Sequence, residues 1–252
     1  MTCTCNENVV VREEKSRITL DGQGTATING PIATDHTITV RGSGITIKGF
    51  TITGGRNGVQ VVRGGEALID GNTIQNTGNN GVIVSQHSSA RIINNTIQNN
   101  PGNGINVGEN SSARIGILTT QDTVASPNTI QNNTDRGIIV NRSSSARIVG
   151  NIISNNTDDG IAVGRASHAD ISSNTINSNG GDGIFLNINS GVNLGSDTGD
   201  GIFDVPNSTT ENNTGFGIRC VTGGAADGRQ GTLNGTSGAA SFAGNCINSL
   251  IP

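Results

Sequence analysis

The sequence predicts an all-β protein whose chain winds into a parallel β-solenoid with three sheets. Two observations predict this fold: every repeat holds three short strand-like pieces, and one motif recurs at even intervals, with a longer interval only before its third occurrence, at Asn72, Asn95, Asn128, Asn151 and Asn174. A unit of this size cannot bury its apolar face alone, whereas stacked units bury a continuous core at about 4.8 Å per coil. We therefore expect a rod of roughly nine coils, most of them about 23 residues long.

Three sequence signals share the same register. Asn-Thr-Ile or Asn-Ile-Ile opens each repeat from Asn72 to Asn174, and a glycine followed by Val or Ile keeps the same intervals from Gly81 to Gly183. An alanine, a polar residue and an isoleucine form the third signal, as in Ala90-Arg91-Ile92. Gly, Asn and Ser separate the pieces and mark the turns. Alternation along the strands directs Ile74, Val82 and Ile92 to the interior.

The rest of the chain is less regular. Residues 1–17 are interpreted as an irregular N-terminal segment, and residues 18–71 as two to three coils with weaker repeats. The coils are expected to extend through residue 218, followed by a C-terminal cap over residues 219–252. A cap is expected because an open end coil exposes unpaired backbone groups.

Two positions of the repeat keep the same residue type over several coils, one facing outward and the other at a turn. Arg91, Arg114 and Arg147 form an outward arginine column, interpreted as a solvated face or, alternatively, as a site for an anionic ligand. Side-chain amides that stack at one turn can hydrogen-bond one another along the axis, so an asparagine ladder is predicted there. Its members are Asn72, Asn95, Asn128, Asn151, Asn174 and Asn207.

Composition excludes several classes of function. Fifteen basic and 19 acidic residues give a net charge of −4, and no strongly basic tract indicates a nucleic-acid partner. No apolar run approaches the roughly 20 residues of a membrane span. A Cys220–Cys246 disulfide is expected, whereas Cys3 and Cys5 are too close in sequence to pair comfortably. These cysteines favour a secreted, periplasmic or cell-surface protein whose signal peptide is absent from this sequence.

Two coils are longer by ten residues, at 116–127 and 195–206. Both insertions follow the third strand of their coil, so they are expected to wall a shallow groove. Asp197, Asp200 and Asp204 in the second insertion are candidate Ca²⁺ ligands, because Ca²⁺ prefers oxygen donors. The predicted groove floor consists of outward residues of the first sheet: Thr129, Gln131, Ile152, Ser154, Thr175 and Asn177.

Four carboxylates are expected on three successive coils, at the turn before the second sheet. They are Asp135, Asp158, Asp159 and Asp182. Neighbouring carboxylates raise one another's pKa unless a cation offsets them. Arg136 in the same turn is the expected partner, and bound Ca²⁺ is the alternative.

The segments GFTITGGRNGV, GNTIQNTGNNGV and SSARIINNTIQNN resemble the right-handed parallel β-helix repeats of the pectate-lyase-like superfamily. The resemblance covers nearly the whole chain and implies right-handed coiling. Asn133-Thr134-Asp135 and Asp158-Asp159-Gly160 also resemble the first two motifs of the polygalacturonase family. That likeness would make Asp135, Asp158 and Asp159 catalytic carboxylates of an inverting hydrolase. The Gly-His and Arg-Ile-Lys motifs of that family are missing, and the chain has Gly181-Asp182-Gly183 instead.

The expected function is a non-catalytic exported scaffold that binds a polysaccharide or a cell-surface component, with no cofactor. The rival is an enzyme acting on acidic polysaccharide, either a hydrolase at the four carboxylates or a Ca²⁺-assisted lyase. Arg142 and Arg165 lie across the second sheet from the carboxylates, too far for one transition state. His36, His87 and His168 are interpreted as surface residues. Ice binding by outward threonines is disfavoured because Ile152 interrupts their column.

Overall fold

The computed structural model describes residues 3–119, 121–195 and 204–251, and the regular elements in these ranges are β-strands. It confirms the predicted all-β parallel solenoid, with about ten turns instead of roughly nine. Within the same ranges, no helix is long and apolar enough to cross a membrane.

The strands are short, and we number them in chain order. The first eight are β1 (Thr4–Asn6), β2 (Val9–Val11), β3 (Thr19–Gly30), β4 (Ile38–Val40), β5 (Ile45–Gly54), β6 (Val59–Val61), β7 (Glu66–Asp70) and β8 (Thr73–Gln75). The next nine are β9 (Val82–Val84), β10 (Ser89–Ile93), β11 (Thr96–Gln98), β12 (Ile105–Val107), β13 (Ser112–Ile115), β14 (Thr129–Gln131), β15 (Ile138–Val140), β16 (Ser145–Val149) and β17 (Ile152–Ser154). The last nine are β18 (Ile161–Gly164), β19 (His168–Ser172), β20 (Thr175–Asn177), β21 (Ile184–Asn187), β22 (Gly191–Leu194), β23 (Phe216–Cys220), β24 (Ala225–Arg229), β25 (Gly238–Phe242) and β26 (Ile247–Ile251).

The strands form three faces, and every pairing between named strands is parallel. The second sheet runs β2-β4-β6-β9-β12-β15-β18-β21-β23-β25. The first sheet contains β8, β11, β14, β17 and β20, and the third contains β7, β10, β13, β16, β19, β22, β24 and β26. The long strands β3 and β5 bend across both of these faces and join them into one sheet of 16 strands.

Aliphatic columns fill the interior. Ile74, Ile97 and Ile130 stack on the first sheet, and each is completely buried. The second and third sheets contribute equivalent columns, such as Val82 with Ile105, because each register joins identical or similar residues. Full burial of one Ile or Val side chain contributes about 1.5–3 kcal/mol, so the stacked columns stabilise the rod along its length.

Buried asparagines form the ladder at the turn between the third and first sheets. The backbone N–H and side-chain Nδ2 of Asn72 both donate to Oδ1 of Asn95, at 2.9 and 3.0 Å. The same pair of bonds joins Asn151 to Asn174 and Asn174 to Asn207. A second amide ladder, not predicted, lies at the turn after the first sheet and contains Asn100, Asn133, Asn156, Asn179 and Asn213.

Strands of the solenoid occur inside both end segments that the sequence analysis set apart from the central coils. Residues 4–11 hold β1 and β2, which pair with β3 and β4, so the solenoid begins inside the segment 1–17. The interval from Val9 to its partner Ile38 is longer than the interval between regular coils, such as that from Val59 to Val82, and this difference concealed the first coil. Residues 219–251 are not a separate cap, since β24 and β26 continue the third sheet in register.

Candidate functional site

Arg136 binds three of the four predicted carboxylates at the turn before the second sheet. Its Nη1 lies 3.2 Å from Asp135 Oδ1, its Nη2 lies 2.7 Å from Asp158 Oδ2, and its Nε lies 3.1 Å from Asp159 Oδ2. Arg219 Nη1 lies 3.9 Å from Oδ2 of Asp182, the fourth carboxylate. The sequence placed Arg136 in this cluster but gave no indication of Arg219, which is far away along the chain.

Asp159 and Asp182 are buried and hydrogen-bonded to backbone. The N–H of Asp182 donates to Oδ1 of Asp159 at 2.9 Å, and the N–H of Phe216 donates to Oδ1 of Asp182 at 2.7 Å. Burial raises the pKa of Asp159 to about 6, although the Asp182 N–H and Arg136 stabilise its ionised form. Burial also raises the pKa of Asp182.

These two aspartates occupy the turn position that asparagines fill in earlier coils, and Arg136 stands between Asn103 and Asp159 at this position. The N–H of Asn80 donates to Asn57 Oδ1, and the N–H of Asn103 donates to Asn80 Oδ1. The bond from the N–H of Asp182 to Asp159 Oδ1 has the same donor and acceptor atoms. The sequence carried a signal for this column, because each member precedes the glycine that opens the second-sheet strand, as in Asn80-Gly81 and Asp159-Gly160. The carboxylates therefore occupy structural ladder positions.

This arrangement bears on the rival hydrolase hypothesis. The side chain of Asp159 is 7% exposed, and Arg136 and the Asp182 N–H occupy its two oxygens. An inverting glycosidase needs two carboxyl groups on opposite sides of the scissile bond, with room for water. Here one guanidinium lies against Asp135, Asp158 and Asp159 together, which leaves no such opening between them.

A depression of about 300 Å³ lies beside this turn, on the outer face of the second sheet. In the outward column Ile139, Ala162 and Phe185 are consecutive, so a methyl group stands between two large apolar side chains. Gly164, two residues after Ala162, also lines it. We call this feature the second-sheet depression, and the low point at Ala162 between its two larger neighbours is the notch of this depression.

Polar and cationic side chains surround the notch. Arg136 lies at one margin and Arg142 and Arg165 at the other, while Asn106, Asn141 and Asn187 supply carboxamides. Arg142 Nη1 lies 3.2 Å from Glu109 Oε1. Sequence reasoning placed Arg142 and Arg165 one coil apart but missed the depression, although the interval between the glycines already set Ala162 between Ile139 and Phe185.

The turn after the second sheet directs these arginines outward. Two successive residues in each regular coil have positive φ, among them Arg142 (55°) with Ser143 (60°) and Arg165 (54°) with Ala166 (58°). Few non-glycine residues adopt this left-handed conformation, and it costs about 1–2 kcal/mol per residue. The repeat tolerates this cost in every coil, and the backbone thereby holds the two guanidinium groups on adjacent coils.

The predicted groove floor lies on the first sheet. Thr129 and Gln131 are on β14, Ser154 is on β17, and Thr175 and Asn177 are on β20; Ser154 is buried, and the others are half-buried. Asp122 in the first insertion hydrogen-bonds its own loop, accepting from the N–H groups of Leu118 and Thr119. Most of the second wall, including candidates Asp197 and Asp200, lies outside the described residues.

Of the metal candidates only Asp204 lies within the described residues, whereas both disulfide candidates do. No group of three or more His, Cys, Asp or Glu side chains suited to hold a metal ion occurs in the part of the chain that the structure describes, which includes Asp204. Cys220 and Cys246 form the expected disulfide, with Cα atoms 6.1 Å apart. Cys3 and Cys5 are free thiols whose Sγ atoms lie 4.0 Å apart.

Two groups of known proteins resemble this chain. A cell surface glycoprotein of Methanothermus fervidus is 37% identical over 70 residues, which are 28% of this chain and 11% of that protein. The A-module of the Azotobacter vinelandii mannuronan C-5 epimerase AlgE4 has a TM-score of 0.52 at 14% identity, over 96% of this chain and 81% of that one. The periplasmic alginate epimerase AlgG has a TM-score of 0.55 at 14% identity, over 90% of this chain and 58% of that one. At these identities, the structural likenesses show a common fold.

The family described as the right handed beta helix region matches residues 2–118 and 106–245, nearly the whole chain. Its name agrees with the right-handed coiling that the sequence resemblance implied. The chain therefore belongs to the right handed beta helix family.

Proposed function

We propose that this chain is a non-catalytic module that binds an acidic polysaccharide in the second-sheet depression, outside the cytoplasm. The observation that carries the proposal is the combination of an apolar notch with three guanidinium groups and three carboxamides. Two similar structures are named for enzymes of the polysaccharides mannuronan and alginate, and one relative is named as a cell surface glycoprotein. The Cys220–Cys246 disulfide supports an oxidising compartment.

The chemistry of the notch fits an acidic sugar unit. Phe185 and Ile139 offer half-buried apolar surfaces to the C–H face of a sugar ring, on either side of the short side chain of Ala162. Arg142 and Arg165 supply planar guanidinium groups, which bind carboxylates through paired hydrogen bonds. Arg165 has no ion-pair partner among the described residues, so its donors are open to a ligand.

Among the described residues that line the depression, the lack of an accessible acid and base supports a binding function over catalysis. Glu109 is the carboxylate that lines the depression, and Arg142 pairs with it. The nearby aspartates lie against Arg136, as described above. Proton transfer to and from a substrate requires positioned groups within hydrogen-bond reach of the reacting atoms.

The alternative is an enzyme acting on the same class of polymer. One observation favours it: the pKa of Asp159, at about 6, lies in the range of a general acid at neutral pH. Such an enzyme would need Arg136 to swing away from Asp159 when substrate binds. Activity abolished by Asp159→Asn, with the fold retained, would support this alternative.

Binding can be tested with polygalacturonate and alginate as probes and dextran as the neutral control. Ala162→Ile fills the notch with the side chain that Ile83 and Ile139 already place in this column, so the fold should tolerate it. Arg165→Gln removes the unpaired guanidinium. Its matched control is Arg63→Gln, at the same turn position four coils earlier, also with positive φ and outside the depression.

We expect Ala162→Ile and Arg165→Gln each to weaken binding about tenfold, and Arg63→Gln to leave it unchanged. Prolonged incubation with the chain should generate no new reducing ends, no unsaturated uronate and no epimerised sugar unit in the polymer. Equal binding by wild type and Ala162→Ile would overturn the assigned site. Any of the three products would overturn the non-catalytic function.

A further inference from the structure

The outward arginine column forms a second concave surface, on the third sheet. Arg91, Arg114 and Arg147 occupy paired positions on β10, β13 and β16. They line a depression of about 380 Å³ that shares no residue with the second-sheet depression. We call it the arginine groove.

Small side chains beside the arginines make this surface concave. Ser89, Ser112 and Ser145 form the neighbouring outward column, two residues before the arginines on each strand. The alanines between the two columns point inward and are 4–6% exposed. Long guanidinium side chains therefore stand along one side of a low floor lined by hydroxyl groups.

Acidic residues limit the groove at both ends. Glu66 on β7 lies 3.3 Å from Arg91 Nη2. At the other end the arginine column continues as Asp170 on β19, whose Oδ1 binds His168 Nε2 at 3.1 Å and Asn193 Nδ2 at 2.8 Å. The three arginines thus stand on consecutive coils, with an acidic residue beside the first and the last of them.

Arg91 and Arg114 keep hydrogen-bonding capacity for a ligand. A guanidinium has five N–H donors. The structure uses one donor of Arg91 for Glu66 and one of Arg114 for the carbonyl of Leu118, at 3.3 Å. Like charges on adjacent coils about 4.8 Å apart repel one another, and an anionic ligand that spans them removes this cost.

We propose that the arginine groove binds a linear acidic glycan, aligned with the rod axis, through three consecutive acidic sugar units. One guanidinium per coil matches a polymer with one negative charge per sugar, because a coil is about as long as a sugar unit. The phosphates along one strand of duplex DNA repeat at about 3.4 Å, which does not match the coil spacing. The inference shares its ligand class with the proposed function but depends on different residues, so the rod has two faces for acidic polymers.

Galacturonate oligomers of increasing length are suitable probes, measured by calorimetry in the Arg165→Gln background so that the other face is weakened. Affinity should rise up to the trisaccharide and then level off. Arg114→Gln should reduce trisaccharide affinity about tenfold, because it removes the central charge. The column also contains Leu68 and Asn193, so an uncharged residue at position 114 should fold, and an unchanged thermal unfolding midpoint checks this.

The two proposals fail separately. If Arg114→Gln leaves trisaccharide binding unchanged in the Arg165→Gln background, the arginine groove is not a glycan site. If Ala162→Ile and Arg165→Gln have no effect while Arg114→Gln does, the second-sheet site is wrong and the arginine groove stands. Displacement of the trisaccharide by an equal concentration of short duplex DNA would overturn the assignment to a glycan.

Discussion

The backbone N–H of Asp182 donates a hydrogen bond of 2.9 Å to the carboxylate of Asp159, one coil earlier. The same bond joins Asn80 to Asn57 in this column, where the acceptor is a neutral amide. Asp159 therefore carries an ionisable group at a position that an uncharged side chain also fills. The raised pKa of Asp159 follows from this burial, and Arg136 offsets it only in part.

Asp159→Asn should flatten the pH dependence of stability. The pKa of Asp159 is about 6 in the folded chain and about 3.9 when unfolded, so the folded state binds more protons between these values. Protonation of Asp159 therefore contributes up to about 3 kcal/mol to the free energy of unfolding. This contribution is fully present below pH 4 and is lost as the pH rises through 6. Chemical unfolding from pH 4 to 8 measures it.

Asp227→Asn, at an exposed carboxylate outside this cluster, is the control and should keep the wild-type slope. If Asp159→Asn instead destabilised the rod equally at every pH, the ion pair with Arg136 would outweigh the burial of Asp159.

Asn151→Ala should destabilise the chain by about 3 kcal/mol or more. The Nδ2 of Asn151 donates to the carbonyls of Ile115 and Val149 and to Asn174, and its Oδ1 accepts from Asn128. Truncation leaves these buried groups unpaired. Gln131→Ala removes a half-buried side-chain bond to Gln98 and should cost no more than about 1 kcal/mol. If guanidinium unfolding gave the same loss of stability for both variants, the asparagine ladder would not stabilise the chain more than a half-buried side-chain bond does.

Ile188→Asn should stabilise the rod by about 1 kcal/mol. Ile188 is 47% exposed and has φ 51°, a conformation that strains a β-branched residue and that Asn adopts readily. Ile152 is equally exposed at 45% but lies in β17, so Ile152→Asn should lower stability instead. Thermal unfolding midpoints that move in the same direction for both variants would refute the argument from backbone strain.

Cys246→Ala should loosen the last coil without affecting the centre of the rod. The disulfide joins positions 26 residues apart, and a loop of this length contributes about 3–4 kcal/mol in the chain-entropy account. Coils contact only their neighbours, so the loss should remain local. Hydrogen exchange should become faster in β25 and β26 and stay unchanged in β9 to β16. Cys5→Ala, at a free thiol, is the control.

The regular coils were predictable because each follows a short-range rule. Glycine before Val or Ile marks where a second-sheet strand begins, and the constant interval between these glycines then fixes which residues stack. The first coil escaped this reasoning, since the interval from Val9 to Ile38 is longer.

The candidate sites were harder to predict, since they arise between coils. Ala162 makes a notch only because Phe185 and Ile139 are its neighbours in register, one coil away on either side. His168 was interpreted as a solitary surface residue, yet it binds Asp170 at the end of the arginine groove. The positive φ of Arg142 and Arg165 could not be predicted either, because arginine does not favour this conformation.

Because most coils have equal length and stack in register, this rod can be lengthened by one complete coil at a time. A duplication of the gene segment for residues 72–94 would place a second Asn72 where Asn95 now follows Asn94, and each column would gain one member. An insertion of another length at a strand would break the columns, whereas the ten extra residues of 116–127 are confined to one turn. Unequal crossing-over between repeats is therefore a route by which evolution can lengthen the arginine groove, adding a binding position for one more sugar with each coil.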